Sequence, residues 1–472
     1  MSVKNSPKTN VVALYLAFAV LGIFVLLPFH ALLSTWLGSV TGNLDLIRAW
    51  KEIIIIAMAI GVAFLLAIDK PLRKEFLNSL LVKAIAVYTV FTLLRAVYGV
   101  TSGEVTTEAT FYALLNNLRY LGFFLVVWLI AKRSQILEHY WQKAVVAPAA
   151  AVVTFGLLQQ LVLDKDSLTY FGYGTGTTLA PQAVDLKPEY IRIQSTLRGP
   201  NPLGAYLVFF VTYLLGAIIK ASRFRVLHAV LTLASICVLF FTYSRSAWFG
   251  LMVSVVVLVC LLAKTRGTRV MVVGFAVGVL VAMAGSATIL RTNSTFQNII
   301  FHTDDLSVSS QSSNEVRANA LVNGIQDTIN NPLGSGPGSA GPASFRNNNQ
   351  PKIAENYYIQ LAQEVGVIGL VLYLLITLIL VRGLWLRRQQ LLPAVLLATL
   401  AGITCINMLS HAWADDTLSL LWWGLAGIAI SYSPDKPLLS KPAILKANKS
   451  IASKNRVHAK KEKNPQKPSP RD

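Results

Sequence analysis

Acidic residues are scarce in this chain: 22 Asp and Glu stand against 42 Lys and Arg, and charged residues of both signs fill only 14% of 472 positions. Soluble domains carry about 25% charged residues, so a surface made wholly for water is excluded. Cysteine is nearly absent. Cys237, Cys260 and Cys405 all fall inside apolar stretches, at spacings that suit neither a disulfide framework nor a metal site, and are expected to serve as small buried side chains. The glycine-rich stretch Gly172-Tyr173-Gly174-Thr175-Gly176-Thr177-Thr178 lacks the Lys-Ser/Thr ending and the strand–helix setting of a phosphate loop. Neither a short repeat nor the inverted symmetry of transporters is evident.

Long apolar runs are present in number. They cover about 11–35, 53–68, 80–98, 112–131, 144–163, 203–219, 226–242, 246–263, 270–290, 356–381, 391–409 and 417–432. About twenty apolar residues cross the hydrocarbon core as a helix, and a helix satisfies its own backbone there. The expected fold is therefore an all-α polytopic membrane protein with about 12 transmembrane helices. The first run follows Lys4 and Lys8 but is long for a signal peptide and is read as a retained helix.

The net charge of +20 is distributed in a telling way. Lys70/Arg73/Lys74, Lys132/Arg133, Lys220/Arg223/Arg225, Lys264/Arg266/Arg269 and Arg382/Arg387/Arg388 occupy alternate loops. Together with Lys4, Lys8 and the Lys-rich end, they lie on one side of a twelve-helix count. That positive-inside pattern predicts cytoplasmic termini and two long extracytoplasmic loops, about 164–202 and 291–355. Residues 1–433 then form the membrane domain. The basic, apolar-poor stretch 434–472 is expected to be a disordered cytoplasmic tail that contacts anionic lipid rather than nucleic acid.

The first long outer loop ends Arg192-Ile193-Gln194-Ser195-Thr196-Leu197-Arg198-Gly199-Pro200-Asn201-Pro202. Asn201 can cap the following helix, with Pro202 near its start. Two guanidinium groups beside a helix N-terminus suit a diphosphate, although spacing alone fits lipid headgroups or acidic loop partners equally. Arg245, in Ser244-Arg245-Ser246, stands at a very short outer connection, either snorkelling or facing the bundle as an anion site. In the second long loop, Asn314–Ile329 reads as an amphipathic helix with Val316, Ala320, Ile325 and Ile329 on one face and Arg317 on its first turn. The breaker-rich Asn331-Pro332-Leu333-Gly334-Ser335-Gly336-Pro337-Gly338-Ser339 follows, and the loop is expected to fold as a lid. Glu355 stands at the mouth of the next helix. Asn356, Gln360, Gln363 and Glu364 make a polar stripe that should face the bundle or a wet cavity, and Gly366 and Gly369 suit helix packing. His411 and Asp415, four apart, would meet on a continuing helix.

From about Arg192 to Gly424 these pieces resemble the O-antigen ligase / O-antigen polymerase superfamily of bacterial envelope glycosyltransferases. The carriers are the Arg…Gly-Pro-Asn-Pro turn, the Ser244-Arg245-Ser246-Ala247-Trp248 junction, Arg317…Asn331-Pro332-Leu333-Gly334, and Asn356 followed after nine residues by Gly366 and Gly369. Family ligases have His where this chain has Glu355. The resemblance implies a cytoplasmic (inner) membrane enzyme with an extracytoplasmic site. Such an enzyme transfers a glycan from undecaprenyl diphosphate to a glycan acceptor's hydroxyl with inversion, using neither metal nor nucleotide cofactor. By position it implies Arg192 and Arg198 as the diphosphate pair, and Arg245 and Arg317 as further donor contacts. Glu355 takes the place of the base, with Asn356 and His411 completing the binding set. The His-to-Glu change points toward a polymerase or ligase of another surface glycan rather than a lipid A–core ligase. A transporter or a flippase of lipid-linked oligosaccharide is the rival reading. It calls for charged residues lining a cavity through the membrane.

Overall fold

The computed structural model describes residues 7–184, 189–220, 222–263, 265–274, 277–278, 313–348 and 350–432. The expected tail, most of the 270–290 run and the start of the second long loop lie outside the described residues. Fifteen helices are numbered here: α1 (Pro7–Leu26), α2 (His30–Thr41), α3 (Leu44–Arg48), α4 (Trp50–Ile68), α5 (Lys70–Asn78), α6 (Leu80–Thr101), α7 (Thr107–Ala131), α8 (Ile136–Leu161), α9 (Pro200–Ile219), α10 (Arg225–Phe241), α11 (Arg245–Leu262), α12 (Ser313–Asn330), α13 (Tyr357–Trp385), α14 (Leu391–Asn407) and α15 (Asp416–Ser431). The strand content is one antiparallel pair among the described residues, β1 (Gln182–Ala183) with β2 (Ile191–Arg192).

Eight described stretches are long and apolar enough to cross a membrane. Three further apolar helices, α10, α14 and α15, are shorter. The expected count of about 12 is thus not reached on these criteria, because short helices and the undescribed ninth run fall outside them. The first run is one 31-residue span, Val11–Thr41, with Pro28 in a single 3-10 turn between α1 and α2. α8 begins eight residues before its apolar run, because polar residues such as Glu138, His139 and Gln142 occupy its first turns.

The helices bury one another unevenly. α9 is enclosed by α10, α11 and α14, and α7 lies along α15. Tyr120, Trp413, Trp422 and Trp423 fill the seam near the head of α15. Many residues on α4 and α6, such as Ile53, Ile56, Ile60, Val87 and Leu94, are exposed, as lipid-facing apolar side chains are. Following chain direction, one end of the bundle gathers the basic connections at 68–80, 131–136, 219–225 and 385–391. The other, loop-rich end gathers 41–50, 101–107, 161–200, 241–245, α12 and 407–416.

Candidate functional site at the loop-rich end

Three turns at this end converge on the start of α9, α11, α13 and α15. The first is 192–198. Ser195 donates to the Val152 carbonyl at 2.7 Å, Thr196 to the Pro28 carbonyl at 2.7 Å, and the Ser195 amide to Gln159 Oε1 at 2.8 Å. The segment is thereby pinned to α8 and to the 3-10 turn between α1 and α2. Gly199 is the residue that precedes α9, and Pro200 rather than Pro202 opens it, where a missing N–H costs nothing. Asn201 does not cap: its Oδ1 accepts from Arg192 Nη2 at 2.6 Å, while Arg192 Nε donates to the Thr242 carbonyl at 2.9 Å. Arg192 therefore ties the first turn to the second, 242–245, which Arg245 leaves as the first residue of α11. α9 and α11 approach closely here, since a Cβ on Gly204 would stand 2.7 Å from that of Ala247. Arg192 and Arg245 thus flank one turn.

Arg198 points elsewhere. Its side chain is 55% exposed, and its guanidinium lies 3.8 Å from the carboxylate of Asp415, beyond hydrogen-bond length. Asp415 is buried and caps α15, accepting from the amides of Thr417 at 3.1 Å and Leu418 at 3.2 Å. Burial pushes its carboxyl upward from the usual range, against the pull of Arg198. The expected His411–Asp415 pair is replaced by this arrangement, because a 3-10 turn, Ala412–Ala414, separates α14 from α15 and breaks the four-residue stacking. His411 is instead half-buried, its Nε2 enclosed with no hydrogen-bond partner among the described residues, and burial holds its imidazole down at about 4.

Glu355 and Asn356 form the third turn. Asn356 caps α13 through the amides of Tyr358 at 2.9 Å and Ile359 at 3.1 Å, and its Nδ2 donates to the Met408 carbonyl at 3.1 Å. That last bond moors Glu355 beside the 408–415 turn. Asn356 thus serves first as cap and anchor. Glu355 itself is half-buried, with φ of 52°. Three non-glycine residues among those described have positive φ: Ser195, Tyr243 and Glu355, one in each turn. Such backbone costs about 1–3 kcal/mol and collects at functional sites. Arg317 is exposed on α12 and has no contact with the other arginines among those described.

The sequence reading missed a buried ionic network below these turns. Arg119 of α7 binds Glu52 at 2.6 Å and, on its other side, Asp416. Lys51 binds Asp416 at 2.9 Å, Glu52 at 3.1 Å and His30 Nε2 at 3.1 Å. Trp50 donates to His30 Nδ1 at 2.9 Å. Lys51 and Arg119 are only 3% and 6% exposed in their side chains. Charges within apolar runs are costly unless paired, and that cost was the available signal at Arg119, inside the 112–131 run, whereas Lys51 precedes the 53–68 run and gave no such signal.

In the second long loop, the described residues 313–348 and 350–355 pack on and between helices. α12 lies on the head of α13, where a Cβ on Gly324 would stand 2.7 Å from Ile359, and Gln363 donates to Asp327 at 3.1 Å. Close approach through a small residue and a polar pair sets this face. Ile325 and Ile329, expected to pack, are therefore exposed, Ala320 is half-buried, and the side chain of Val316 lies outside the described residues. The following glycine-rich stretch inserts between helices. α13 breaks at Gly366 (φ 71°, ψ 177°), and the amides of Ser335 and Gly336 take the carbonyls of Gln363 and Glu364, both at 2.9 Å, while Val367 donates to the Pro332 carbonyl at 2.9 Å. The polar stripe faces inward as expected. Glu364 is fully buried, accepting from Asn117 at 2.7 Å and the Gly338 amide at 3.0 Å.

Apolar helices in this number, with polar side chains and strained turns collected at one end, are those of a polytopic helical membrane protein. A family model described as O-antigen ligase matches residues 229–374, from α10 through the break in α13, and over that region the match supports the likeness to the O-antigen ligase/polymerase superfamily. No curated protein matches the chain. Family and helices together support a membrane enzyme of the glycosyl-transferring ligase kind that acts on lipid-linked glycan and polysaccharide.

Proposed function

We propose that the protein transfers a glycan from undecaprenyl diphosphate to a sugar hydroxyl on an acceptor glycan, at the extracytoplasmic face of the bacterial cytoplasmic membrane. The observation that carries this reading is the juxtaposition at the loop-rich end. The exposed Arg198 stands over Asp415, while Glu355 is moored through Asn356 to the same 408–415 turn. A cation for the departing diphosphate and a carboxylate for the incoming hydroxyl lie on one mouth of the bundle.

The chemistry follows from charge. The Glu355 carboxylate takes the proton of the acceptor hydroxyl, whose oxygen attacks the anomeric carbon from the face opposite the lipid. The carbon–oxygen bond to phosphate breaks, and its electron pair leaves with the diphosphate, with inversion. Fixed guanidinium groups aimed at that developing charge are commonly the largest catalytic contribution, and general-base assistance adds about 10²–10⁴-fold. Arg198 and Arg245 supply the first, with Arg192 holding the turns and Arg317 reaching the glycan from α12. His411, neutral at physiological pH, offers a hydrogen bond to the substrate. No metal ion is required in this scheme. The buried charges below are paired with one another rather than lining a passage, which favours transfer over a transport role.

The test is purified protein in lipid, given a defined undecaprenyl-diphosphate glycan and analysed for product length. A ladder indicates polymerisation, a single addition ligation, and lipid movement without transfer rejects the proposal. Glu355→Gln is expected to cut transfer at least 10²-fold while Glu355→His retains part of it. Full activity of Glu355→Gln removes Glu355 as the base.

A further inference from the structure

The first outer connection, 41–50, carries a guanidinium that the sequence reading left unassigned. Arg48 ends α3, is half-buried, and makes one hydrogen bond among the described residues, from Nη2 to Thr178 Oγ1 at 3.2 Å. Thr178 is itself buried and held by Thr35 at 2.9 Å, so the glycine-rich stretch 172–178 is docked on α2 and presents a fixed hydroxyl. The backbone of Arg48 is fixed as well: Lys51 Nζ donates to its carbonyl at 2.9 Å, and the same ammonium binds Asp416 at 2.9 Å. Asp416 adjoins Asp415, the residue Arg198 faces. Arg48 and Arg198 are therefore set in one corner, and their like charges act on each other. Asp45, one turn earlier, acts on Arg48 as an opposing charge more strongly than Asp416 does.

The two arginines share a second property. A guanidinium has five N–H donors. Arg119 spends its donors on Glu52 and Asp416, and Arg192 spends donors on Asn201 and Thr242. Arg48 uses one, and Arg198 makes no hydrogen bond among the described residues. Two neighbouring guanidinium groups with most donors unspent among the described residues, each on an anchored backbone, match the spread-out oxygens of a diphosphate, which accepts in bidentate fashion from more than one arginine.

We propose that Arg48 and Arg198 together clamp the diphosphate of the lipid-linked donor, with Arg192 acting as the strut that joins the 192–198 and 242–245 turns. This rests on the lipid-diphosphate reading given above. It assigns half of the donor site to the 41–50 connection, far outside the 229–374 region that the family model matches.

The experiment is steady-state transfer by the full chain in lipid nanodiscs, with donor concentration varied, for the parent, Arg48→Ala, Arg48→Lys and Arg198→Ala. Inorganic pyrophosphate serves as competitor, and each protein is followed by thermal unfolding. Arg48→Ala should raise the donor KM about tenfold or more, the worth of a charge-assisted contact, and raise the inhibition constant of pyrophosphate in parallel. The acceptor KM and the unfolding midpoint should stay near the parent's. Arg48→Lys should keep the charge but recover only part of the affinity, and it carries the test if the alanine variant does not fold. A parental donor KM in Arg48→Ala, beside a large loss in Arg198→Ala, overturns the clamp and leaves the transferase reading intact. An Arg48→Ala defect seen only in discs containing phosphatidylglycerol assigns Arg48 to a lipid headgroup and also overturns it. Absence of transfer by the parent is the separate failure of the transferase reading.

Discussion

Arg119 decides whether three other charges near the loop-rich end are tolerable. Its guanidinium bridges Glu52 and Asp416, and Lys51 closes the circuit. Removing one member of such a buried pair leaves an uncompensated charge and costs about 3–5 kcal/mol. Arg119→Ala is accordingly expected to lower stability by about that amount, read by thermal or denaturant unfolding in detergent. Adding Asp416→Ala should cost less than the sum of the two single changes, because the partners are shared. His411 gives a pH signature. Its imidazole is held at about 4 by burial, against about 6.5 when unfolded. Between those values the unfolded chain binds the proton and the folded chain does not, so stability is lost as pH falls from about 6.5 toward about 4. Asp415, whose carboxyl is pushed up by burial, acts in the opposite direction. The pH slope of the parent minus that of His411→Phe isolates the histidine, and an unchanged slope would show that His411 is solvated. At this scale the sequence was legible where a residue's surroundings are local. Glu364 inside an apolar run signals burial, and it is buried. The bonds of Arg192 to Asn201 and Thr242, and the separation of His411 from Asp415, depend on how turns meet and where a helix stops, which spacing does not encode.

Among the elements, α13 carries the most consequence per residue. Gly366 has a backbone that only glycine adopts readily, and a Cβ there would stand 2.6 Å from the carbonyl oxygens of Leu333 and Pro332. The break lies about 14 Å along the helix from its start, at about 1.5 Å per residue. Irregular backbone at such depth survives only where other groups satisfy it, and here the 332–336 stretch supplies the partners. Arg95 of α6 also donates to the Gly334 carbonyl, and Ser335 presses on Gly99 of α6, where a Cβ would stand 2.8 Å from its carbonyl oxygen. Gly366→Ala therefore combines about 1–3 kcal/mol of backbone strain with about 1–3 kcal/mol of overpacking. It should destabilise strongly and free the inserted stretch, seen as new proteolytic cleavage between 331 and 341, whereas Gly383→Ala, with its Cβ in ordinary contact with Ile430 at 3.5 Å, should do neither. Periodicity could not reveal this break. A single non-helical residue does not disturb an apolar pattern, and the glycine pair read naturally as a packing surface. The inserted stretch did announce itself as breaker-rich, but nothing in its composition says that it enters the bundle rather than covering it. The same limit applies to α12, whose helical nature was legible and whose packed face was not.

For the molecule as a whole, the apolar runs and the alternation of basic loops make one coherent statement. Eleven of the runs coincide with described helical stretches, and the basic connections gather at one end of the bundle while the strained turns, the Arg198–Asp415 pair and Glu355 gather at the other. Helix positions and charge asymmetry are legible because each span must be long and apolar and each retained loop favours Lys and Arg. What remained hidden is tertiary: which loops insert, and that a buried ionic network knits α2, α4, α7 and α15 together. The functional proposal needs the loop-rich end to face away from the cytoplasm, since a polyprenyl-borne glycan destined for surface polymer is presented there. That orientation is testable by cysteine labelling in a background with Cys237, Cys260 and Cys405 replaced by alanine. Ser102→Cys, just past the end of α6, and Lys74→Cys, within α5, place thiols at exposed positions on opposite ends of the bundle. A membrane-impermeant maleimide should modify Ser102→Cys in intact cells whose outer barrier is opened, and Lys74→Cys only after the cytoplasmic membrane is permeabilised. The reverse pattern would put the arginines beside cytoplasmic nucleotide sugars rather than exported lipid-linked glycan, and would remove the physical basis of the proposed reaction.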